Sequence, residues 1–179
     1  MLANGFSMKR VYLSLGSNLG NRQANIGTAL KRLSENGVKV QRLSSWYRTD
    51  PIGYTAQPWF VNCAAEVLTD LMPLQLVRRC QAIQREMGRR PGPRNGPRLI
   101  DIDILLYENV VMRSPEVTIP HPRMAERRFV LVPLAEIAAE AEHPVTRETV
   151  REMLGAAPTA AVVKLTNADH DAMAEKGRS

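Results

Sequence analysis

The sequence of 179 residues is poor in aromatic residues and cysteine, and it has no long uninterrupted apolar run. Its longest apolar stretch, residues 100–111, contains three acidic side chains, whereas a membrane-spanning helix needs about 20 mostly apolar residues. The apolar run that follows Lys9 and Arg10 ends within a few residues, so it does not have the form of a secretory signal. These absences predict a soluble cytoplasmic protein without membrane contact.

Further absences concern the handling of phosphate and metal. The chain contains no Walker-type phosphate loop and no protein-kinase signature. Its histidines, His121, His143 and His170, are scattered, and Cys63 and Cys80 lack the CxxC spacing of a zinc site. Both cysteines lie in apolar segments, which indicates buried thiols in a reducing compartment. Phosphate chemistry in this chain would therefore depend on arginine and a hard metal ion.

The length of the chain limits the number of domains, and its charge limits the classes of ligand. A domain usually takes about 100–200 residues, so we expect a single domain at residues 8–160 with loosely ordered termini at 1–7 and 161–179. The chain has 24 basic and 18 acidic residues, and the net charge of +6 suits a polyanionic ligand without identifying it.

The spacing of apolar residues predicts strands and helices in the order β-α-β-β-α-β. A helix near residues 26–33 ends at Asn36-Gly37, and a second one opens at Pro73 and closes at Gly88. The predicted strands cover residues 11–15, 38–49, 60–69 and 98–107. An apolar run at 129–134 and helical patterns near 134–142 and 146–155 follow. The order is typical of a ferredoxin-like α+β fold, in which both main helices pack on one face of an antiparallel sheet.

Two acidic residues alternate with isoleucines in the segment from residue 100 to 104. Because successive side chains of a strand point to opposite faces, Asp101 and Asp103 should project from one face while the isoleucines enter the core. Neighbouring carboxylates repel each other unless a cation neutralises them, and oxygen ligands suit a hard cation such as Mg²⁺. Two alternating acidic residues without further signals more often lie on an exposed face of a strand. Whether this pair binds a metal ion therefore has to be judged from the neighbouring segments of the sequence.

The segment that precedes this strand, residues 88–98, contains four arginines, three glycines, three prolines and no acidic residue. Proline and glycine exclude a regular helix or a central strand here, so the arginines lie on an irregular loop. Guanidinium groups offer forked donors that match phosphate oxygens. Next to the acidic pair, the loop predicts a polyphosphate site with arginine on one side and metal on the other.

Five sequence blocks carry a resemblance to a known family. The strongest is GPRLIDIDIL at residues 96–105, which is similar to the signature G-P-R-x-x-D-(L/I)-D-(I/L). The other blocks are Gly16-Ser17-Asn18-Leu19-Gly20, Tyr47-Arg48-Thr49, Gln57-Pro58 with Phe60 and Asn62, and Pro120-His121-Pro122 followed by Arg127 and Phe129. In this order they resemble the 6-hydroxymethyl-7,8-dihydropterin pyrophosphokinase family, from about residue 11 to about residue 137.

The resemblance implies a ferredoxin-like α+β fold and a role in folate biosynthesis. The implied reaction is transfer of pyrophosphate from ATP to the hydroxymethyl group of 6-hydroxymethyl-7,8-dihydropterin, which gives the pterin diphosphate and AMP. Asp101 and Asp103 match the family's metal pair, which holds two Mg²⁺ ions around the triphosphate. Arg89 and Arg98 match the catalytic arginines that contact the phosphates, and closure of the loop at 88–97 would exclude water.

The family also implies two sets of binding residues. Phe60 and Phe129 match the positions that stack on the pterin ring, and Asn62 matches a residue at the pyrimidine edge. The full pterin set is Thr49, Asp50, Ile52, Gly53, Phe60, Asn62 and Phe129. The full nucleotide set is Gln81, Gln84, Arg89, Arg98, Ile104, Thr118, His121 and Arg127.

Some positions depart from the family's pattern. Asn95 replaces a frequent tryptophan, and Gln84 stands where some members have glutamate. The basic loop is shorter than in some members, which leaves the register of Arg90 and Arg94 open. None of these changes concerns the acidic pair or the two catalytic arginines.

Two other classes of protein share parts of the pattern. A Mg-dependent nucleotidyltransferase could use the same acidic pair, but that reading does not account for Phe60, Asn62 and Phe129. A basic RNA-binding module would carry aromatic residues on a central strand, where this chain has Asp101 and Asp103. We therefore expect a monomer that binds ATP and the pterin, and no nucleic acid.

Overall fold

The computed structural model describes residues 7–53, 55–92 and 96–166. Most of the segments predicted to be loosely ordered, residues 1–6 and 167–179, lie outside these ranges. Arg94 and Asn95 of the basic loop also lie outside the described residues. The described chain is an α+β protein built on an antiparallel sheet.

Residues 9–107 contain the predicted strands and helices. The elements there are β1 (Lys9–Ser17), α1 (Arg22–Glu35), β2 (Val38–Leu43), β3 (Tyr47–Thr49), β4 (Phe60–Thr69), α2 (Pro73–Glu86) and β5 (Asp101–Tyr107). The later elements are β6 (Met112–Arg113), β7 (Thr118–Ile119), a 3-10 helix (Met124–Glu126), α3 (Arg128–Ala138), α4 (Val150–Ala156) and β8 (Val162–Lys164).

Helix α1 ends at its predicted signal, and α2 begins and ends at its predicted signals. The Asn21 side chain caps α1 by accepting a hydrogen bond from the Ala24 N–H at 3.0 Å. The chain leaves this helix through Gly37, whose positive φ of 81° is accessible to glycine at little cost. Pro73 opens α2, and Gly88 follows its end with φ 97°.

The predicted strand at residues 38–49 is divided into β2 and β3, and both pair with β4. At the break, the Ser44 N–H donates to the Ala64 carbonyl, and the Ser44 Oγ accepts from the Ala64 N–H, each at 2.9 Å. A side-chain oxygen thus replaces one backbone carbonyl of the ladder, and the strand bends there. The prediction of one continuous strand was wrong at this point.

The sheet has the order β5-β1-β4-β3-β8, with β2 beside β3 on the same edge of β4, and neighbouring strands are antiparallel. Strand β8 lies beyond residue 160, where the sequence analysis ends the domain. It pairs with β3, and the adjacent Leu165 is buried in the core while its N–H donates to the Trp46 carbonyl. The burial of this leucine accounts for the added strand.

Helices cover both faces of the sheet. On one face, side chains of α1 and α2 such as Leu33 and Ile83 pack with Leu13 and Leu15 of β1 in one core. On the other face, α3 and α4 form a second core with Ala64 and Leu105–Leu106. The two main helices share one face as predicted, and the later helices close the opposite one.

The later helices differ in extent from the predicted patterns. Helix α3 begins at Arg128 and includes the whole apolar run, with Pro133 inside it. Its buried residues Val130, Leu131, Leu134 and Ile137 belong to the second core, but the continuous apolar run at 129–134 does not by itself distinguish a buried helix from a buried strand. Helix α4 begins at Val150 because Thr149 and Glu152 form a capping box.

Two smaller expectations can be compared with the structure. Cys63 and Cys80 are both buried and unpaired with each other, as predicted. In the part of the chain that the structure describes, no helix combines the length and the apolar character required to cross a membrane.

The second core should contribute directly to stability. Leu131 of α3 is fully buried, so Leu131→Ala should lower the free energy of unfolding by about 2–5 kcal/mol through lost burial and a residual cavity. Urea denaturation measures this change. Val111→Ala is the matched control, because Val111 is 61% exposed and its truncation should cost less than about 0.5 kcal/mol. Equal effects of the two substitutions would contradict the assignment of Leu131 to a core.

Candidate active site

The register of β5 against β1 determines the direction of the two acidic side chains. Asp101 pairs with Gly16 and Asp103 with Ser14, whereas Ile102 and Ile104 lie in the core shared with α1 and α2. Both carboxylates therefore project from the face that α3 partly covers. The predicted alternation of acidic and core residues is confirmed.

A cavity of about 700 Å³ lies along β5, between α2 on one side of the sheet and the start of α3 on the other. From the predicted pterin set, its lining includes Thr49, Asp50, Ile52, Phe60, Asn62 and Phe129. From the predicted metal and nucleotide sets, it includes Gln81, Gln84, Arg89, Arg98, Asp101, Asp103, Ile104, Thr118, His121 and Arg127.

Gly53 is the one predicted site residue that does not line this cavity. It lies in an exposed bend directly after Ile52 and has φ 83°, so the bend requires the conformational freedom of glycine. Arg90 of the basic loop is also exposed and outside the lining. The bend thus borders the cavity through Ile52 rather than through its glycine.

Two arginines converge on one of the carboxylates. Arg89 Nη1 donates to Asp101 Oδ1 at 2.9 Å, and Arg98 Nη1 donates to Asp101 Oδ2 at 3.0 Å. The basic loop and the acidic strand therefore meet as predicted, and each carboxylate oxygen of Asp101 accepts from a different guanidinium group.

Asp103 has a different environment. Its carboxylate forms no hydrogen bond or ion pair of 4.0 Å or less with another described residue, although it lines the cavity. Burial raises the pKa of both carboxyls above the ordinary value, and the charge of Asp103 raises that of Asp101 further. Nearby guanidinium groups oppose both shifts, Arg98 and Arg89 at Asp101 and chiefly Arg127 at Asp103.

This donor set fits a hard cation. Among the described residues no group of three or more His, Cys, Asp or Glu side chains converges, so Asp101 and Asp103 offer an incomplete set of protein ligands. Mg²⁺ is commonly bound in this way, through one or two carboxylates with phosphate oxygens and water completing its shell. A cation would also relieve the cost of keeping two carboxylates buried side by side.

Gln84 connects the helix, the loop and the strand. Its amide oxygen accepts from the Ile102 N–H at 2.7 Å and from Arg89 Nη1 at 2.8 Å, and the residue is buried. Gln84 belongs to the predicted nucleotide set, but its amide oxygen is engaged within the protein. A neutral amide is suited to this position because it orients Arg89 without adding a third buried negative charge.

Asn18 performs a similar task on the other side of the arginines. Its side-chain oxygen accepts from the Arg98 N–H at 2.7 Å, and its Nδ2 donates to Gln57 Oε1 at 2.9 Å and to the Pro58 carbonyl at 3.0 Å. Asn18 is fully buried and joins three loops around the cavity. Asn18 belongs to the sequence block at residues 16–20, but no pattern in the sequence predicts these contacts.

The segment before β4 is fixed by a second set of contacts. Arg22 Nε donates to the Trp59 carbonyl at 3.0 Å, and its guanidinium lies 4.0 Å from the centroid of the Trp59 ring. Arg48 approaches the same ring at 4.8 Å. These contacts hold the chain that leads directly into Phe60.

The aromatic end of the cavity is built on β3 and β4. Thr49 pairs with Phe60, and the Asn62 Nδ2 donates to Thr49 Oγ1 at 2.6 Å. A Cβ atom on Gly16 would lie 2.5 Å from Asn62 Oδ1, so only glycine leaves room for this amide. The role of Gly16 depends on a cross-strand register that the sequence does not reveal.

The backbone holds His121 and fixes its protonation. The His121 N–H donates to the Leu105 carbonyl at 2.9 Å, and the imidazole Nδ1 accepts from the Arg123 N–H at 3.2 Å. Burial, followed by the positive charges of Arg127 and Arg123, lowers the pKa of His121 to about 4. The neutral imidazole with an accepting Nδ1 carries its hydrogen on Nε2, as a donor.

Comparison with known proteins adds independent evidence. Residues 12–139 match the family described as 7,8-dihydro-6-hydroxymethylpterin-pyrophosphokinase (HPPK). The chain is 44% identical over 148 residues to the 2-amino-4-hydroxy-6-hydroxymethyldihydropteridine pyrophosphokinase of Methylorubrum extorquens, covering 82% of this chain and 92% of that protein.

Longer proteins also contain a related segment. The folic acid synthesis protein fol1 of Schizosaccharomyces pombe is 42% identical over 152 residues, which is 84% of this chain and 21% of that protein. A crystal structure of Plasmodium falciparum HPPK-DHPS has a TM-score of 0.68 and 18% identity, covering 87% of this chain and 45% of that one. The second likeness is one of fold alone. The match to the family model over most of the chain shows that this protein belongs to the 7,8-dihydro-6-hydroxymethylpterin-pyrophosphokinase family.

Proposed function

We propose that this protein transfers pyrophosphate from ATP to the hydroxymethyl group of 6-hydroxymethyl-7,8-dihydropterin, producing the pterin diphosphate and AMP in folate biosynthesis. The observation that carries the proposal is one cavity lined by an acidic pair, two arginines bound to it and an aromatic and amide cluster. The related M. extorquens protein, named for this activity, is matched over nearly its whole length.

In this proposal Asp101 and Asp103 hold two Mg²⁺ ions with the triphosphate of ATP. When bound, the ions supply neutralisation of phosphate charge and a lower pKa for the attacking alcohol. Arg89 and Arg98 donate to phosphate oxygens and stabilise the negative charge that develops during transfer. Closure of the loop at 88–97 excludes water, which would otherwise compete with the alcohol.

The pterin occupies the aromatic end of the cavity. Phe60 and Phe129 stack on its two faces, since a flat heterocycle suits offset stacking. Asn62 hydrogen-bonds the pyrimidine edge, with Thr49 orienting its amide. Asp50, Ile52 and Gly53 border this end, with Gly53 shaping the bend rather than contacting the ligand.

The nucleotide occupies the end formed by α2, β7 and the loop before α3. His121 donates from Nε2 to a phosphate oxygen, and Arg127 adds a positive charge beside it. Gln84 orients Arg89 instead of contacting the nucleotide through its carbonyl oxygen. The remaining members of this set are Gln81, Ile104 and Thr118.

The proposal also includes a ferredoxin-like core, supported by the order of β5, β1, β4 and β2/β3 with α1 and α2 on one face. We retain a single domain, a monomer and a cytoplasmic location as parts of it. RNA binding in the manner of an RNA-recognition domain is disfavoured, because that mode needs an open sheet face and helices cover both faces here.

A nucleotide-product assay tests the reaction. The protein incubated with ATP, Mg²⁺ and 6-hydroxymethyl-7,8-dihydropterin should form AMP in a pterin-dependent manner, without ADP. ADP would indicate transfer of one phosphoryl group, and free pyrophosphate would indicate a nucleotidyltransferase. Either of these products in place of AMP would contradict the proposal.

The metal assignment has a matched control in the same assay. Asp103→Asn keeps the size of the side chain but removes the charge, so AMP formation should fall by at least about 10²-fold. Asp70→Asn makes the same change at an exposed position and should leave the rate unaltered. Wild-type turnover in Asp103→Asn would refute the metal assignment.

Gly16 provides a test of the pterin end. In Gly16→Ala the new methyl group displaces the Asn62 amide, so the KM for the pterin should rise at least about tenfold while the KM for ATP changes little. Gly27→Ala is the control, because a Cβ there meets nothing within 4 Å. An unchanged pterin KM in Gly16→Ala would show that the Asn62 position is unimportant for binding.

The protonation of His121 can be followed without substrates. Its folded-state pKa of about 4 lies below the ordinary 6.5 of an unfolded chain, so the unfolded state binds more protons between these values. Stability should therefore increase as the pH rises through this window, and His121→Gln should reduce that increase. In NMR the His121 imidazole should not titrate between about pH 5.5 and 8. A midpoint near 6.5 would contradict the neutral-donor role.

A further inference from the structure

Arg123 lines the cavity but belongs to neither of the predicted binding sets. It follows Pro122 and precedes the 3-10 helix. Its N–H donates to His121 Nδ1, and its carbonyl accepts from the Glu126 N–H, each at 3.2 Å. The next residue, Met124, is buried in the second core. The backbone of Arg123 is therefore fixed at the edge of the cavity.

Among the described residues, the guanidinium of Arg123 has no anionic partner. It makes no hydrogen bond there, and no carboxylate lies within 4.0 Å of it, although the residue is half-buried. Three other arginines at this end are paired, since Arg89 and Arg98 donate to Asp101, and Arg78 donates to Glu116 through two hydrogen bonds of 2.8 Å. The Arg127 guanidinium lies 5.7 Å from the centroid of the Phe129 ring and has no ion pair in the described part of the chain.

The charge of Arg123 acts on the groups at the phosphate end. It helps to lower the pKa values of His121 and Arg127, after the larger effect of burial, and it opposes the rise in the pKa of Asp103. Arg123 and Arg127 therefore repel each other across a short separation. An anion bound between two such cations would relieve that repulsion.

We propose that Arg123 is a further phosphate-contacting residue, which binds the triphosphate of ATP together with His121 and Arg127. The assignment rests on the proposed function for the identity of the anion. A guanidinium on a fixed backbone presents two N–H groups in one plane, a geometry that matches two phosphate oxygens. The Arg123 side chain should therefore strengthen the binding of ATP and leave the affinity for the pterin unaffected.

The test compares Arg123→Ala and Arg123→Lys with Arg113→Ala. Arg113 is exposed and lies outside the cavity lining, so the control removes the same charge from a neighbouring hairpin. Steady-state kinetics should show that Arg123→Ala raises the KM for ATP by roughly 10- to 100-fold, as expected for a lost charge-assisted hydrogen bond. The KM for the pterin should stay within about twofold, and Arg123→Lys should recover part of the loss.

Calorimetric titration with a non-hydrolysable ATP analogue and Mg²⁺ separates this inference from the proposed function. Weaker binding in Arg123→Ala, with unchanged binding in Arg113→Ala, supports the role of Arg123 even if the wild-type protein forms no AMP. Analogue affinity within about twofold of wild type in both Arg123 variants would overturn it. An equal rise in the KM values of ATP and pterin would also overturn it, because that result indicates a general effect on the cavity. Circular dichroism establishes that each variant is folded.

Discussion

The constraint on which the rest of the site depends is the partial burial of two like charges on one strand. Asp101 and Asp103 project from the same face of β5, and both lose hydration in the cavity. Carboxylates in this position remain charged only if positive groups lie close by. The basic loop that leads into β5 meets this requirement at Asp101, and Arg127 and Arg123 contribute at Asp103.

Two buried side-chain amides, those of Gln84 and Asn18, hold the irregular segments around the cavity in fixed positions. Gln84 accepts from both Arg89 and the Ile102 N–H, and Asn18 bridges Arg98 to the chain at 57–58. The Asn18 amide accepts and donates at once, which a carboxylate cannot do, and the Gln84 amide accepts from two donors without adding a negative charge. The loops around the cavity are therefore fixed by hydrogen bonds to side chains, in place of the ladder that fixes the strands.

Patterns of neighbouring residues were enough to predict some parts of the fold and of the site. The alternation of acidic residues and isoleucines at 100–104 predicted which face of β5 carries the acidic pair. Asn36-Gly37 predicted the end of α1, and Pro73 predicted the start of α2. The bend at Ser44 and the conflict between Gly16 and any larger residue depend on pairing with β4, which lies far along the chain. The start of helix α3 was missed because a short continuous apolar run, residues 129–134, fits a buried strand as well as a helix. Arg123 could be recognised only once the cavity was assembled.

The ion pairs at Asp101 also bear on how a polyphosphate would be bound in the proposed function. Arg89 and Arg98 both donate to Asp101, so each of these guanidinium groups has an anionic partner within the protein. In the proposed function, phosphate oxygens would replace Asp101 as acceptors for the two guanidinium groups, and the Asp101 carboxylate would then be available to hold a metal ion. Such an exchange avoids the desolvation of unpaired charges, which is the main cost of buried ionic contacts. It also links the two ligands, because neither the anion nor the cation alone can satisfy both halves of the broken pairs.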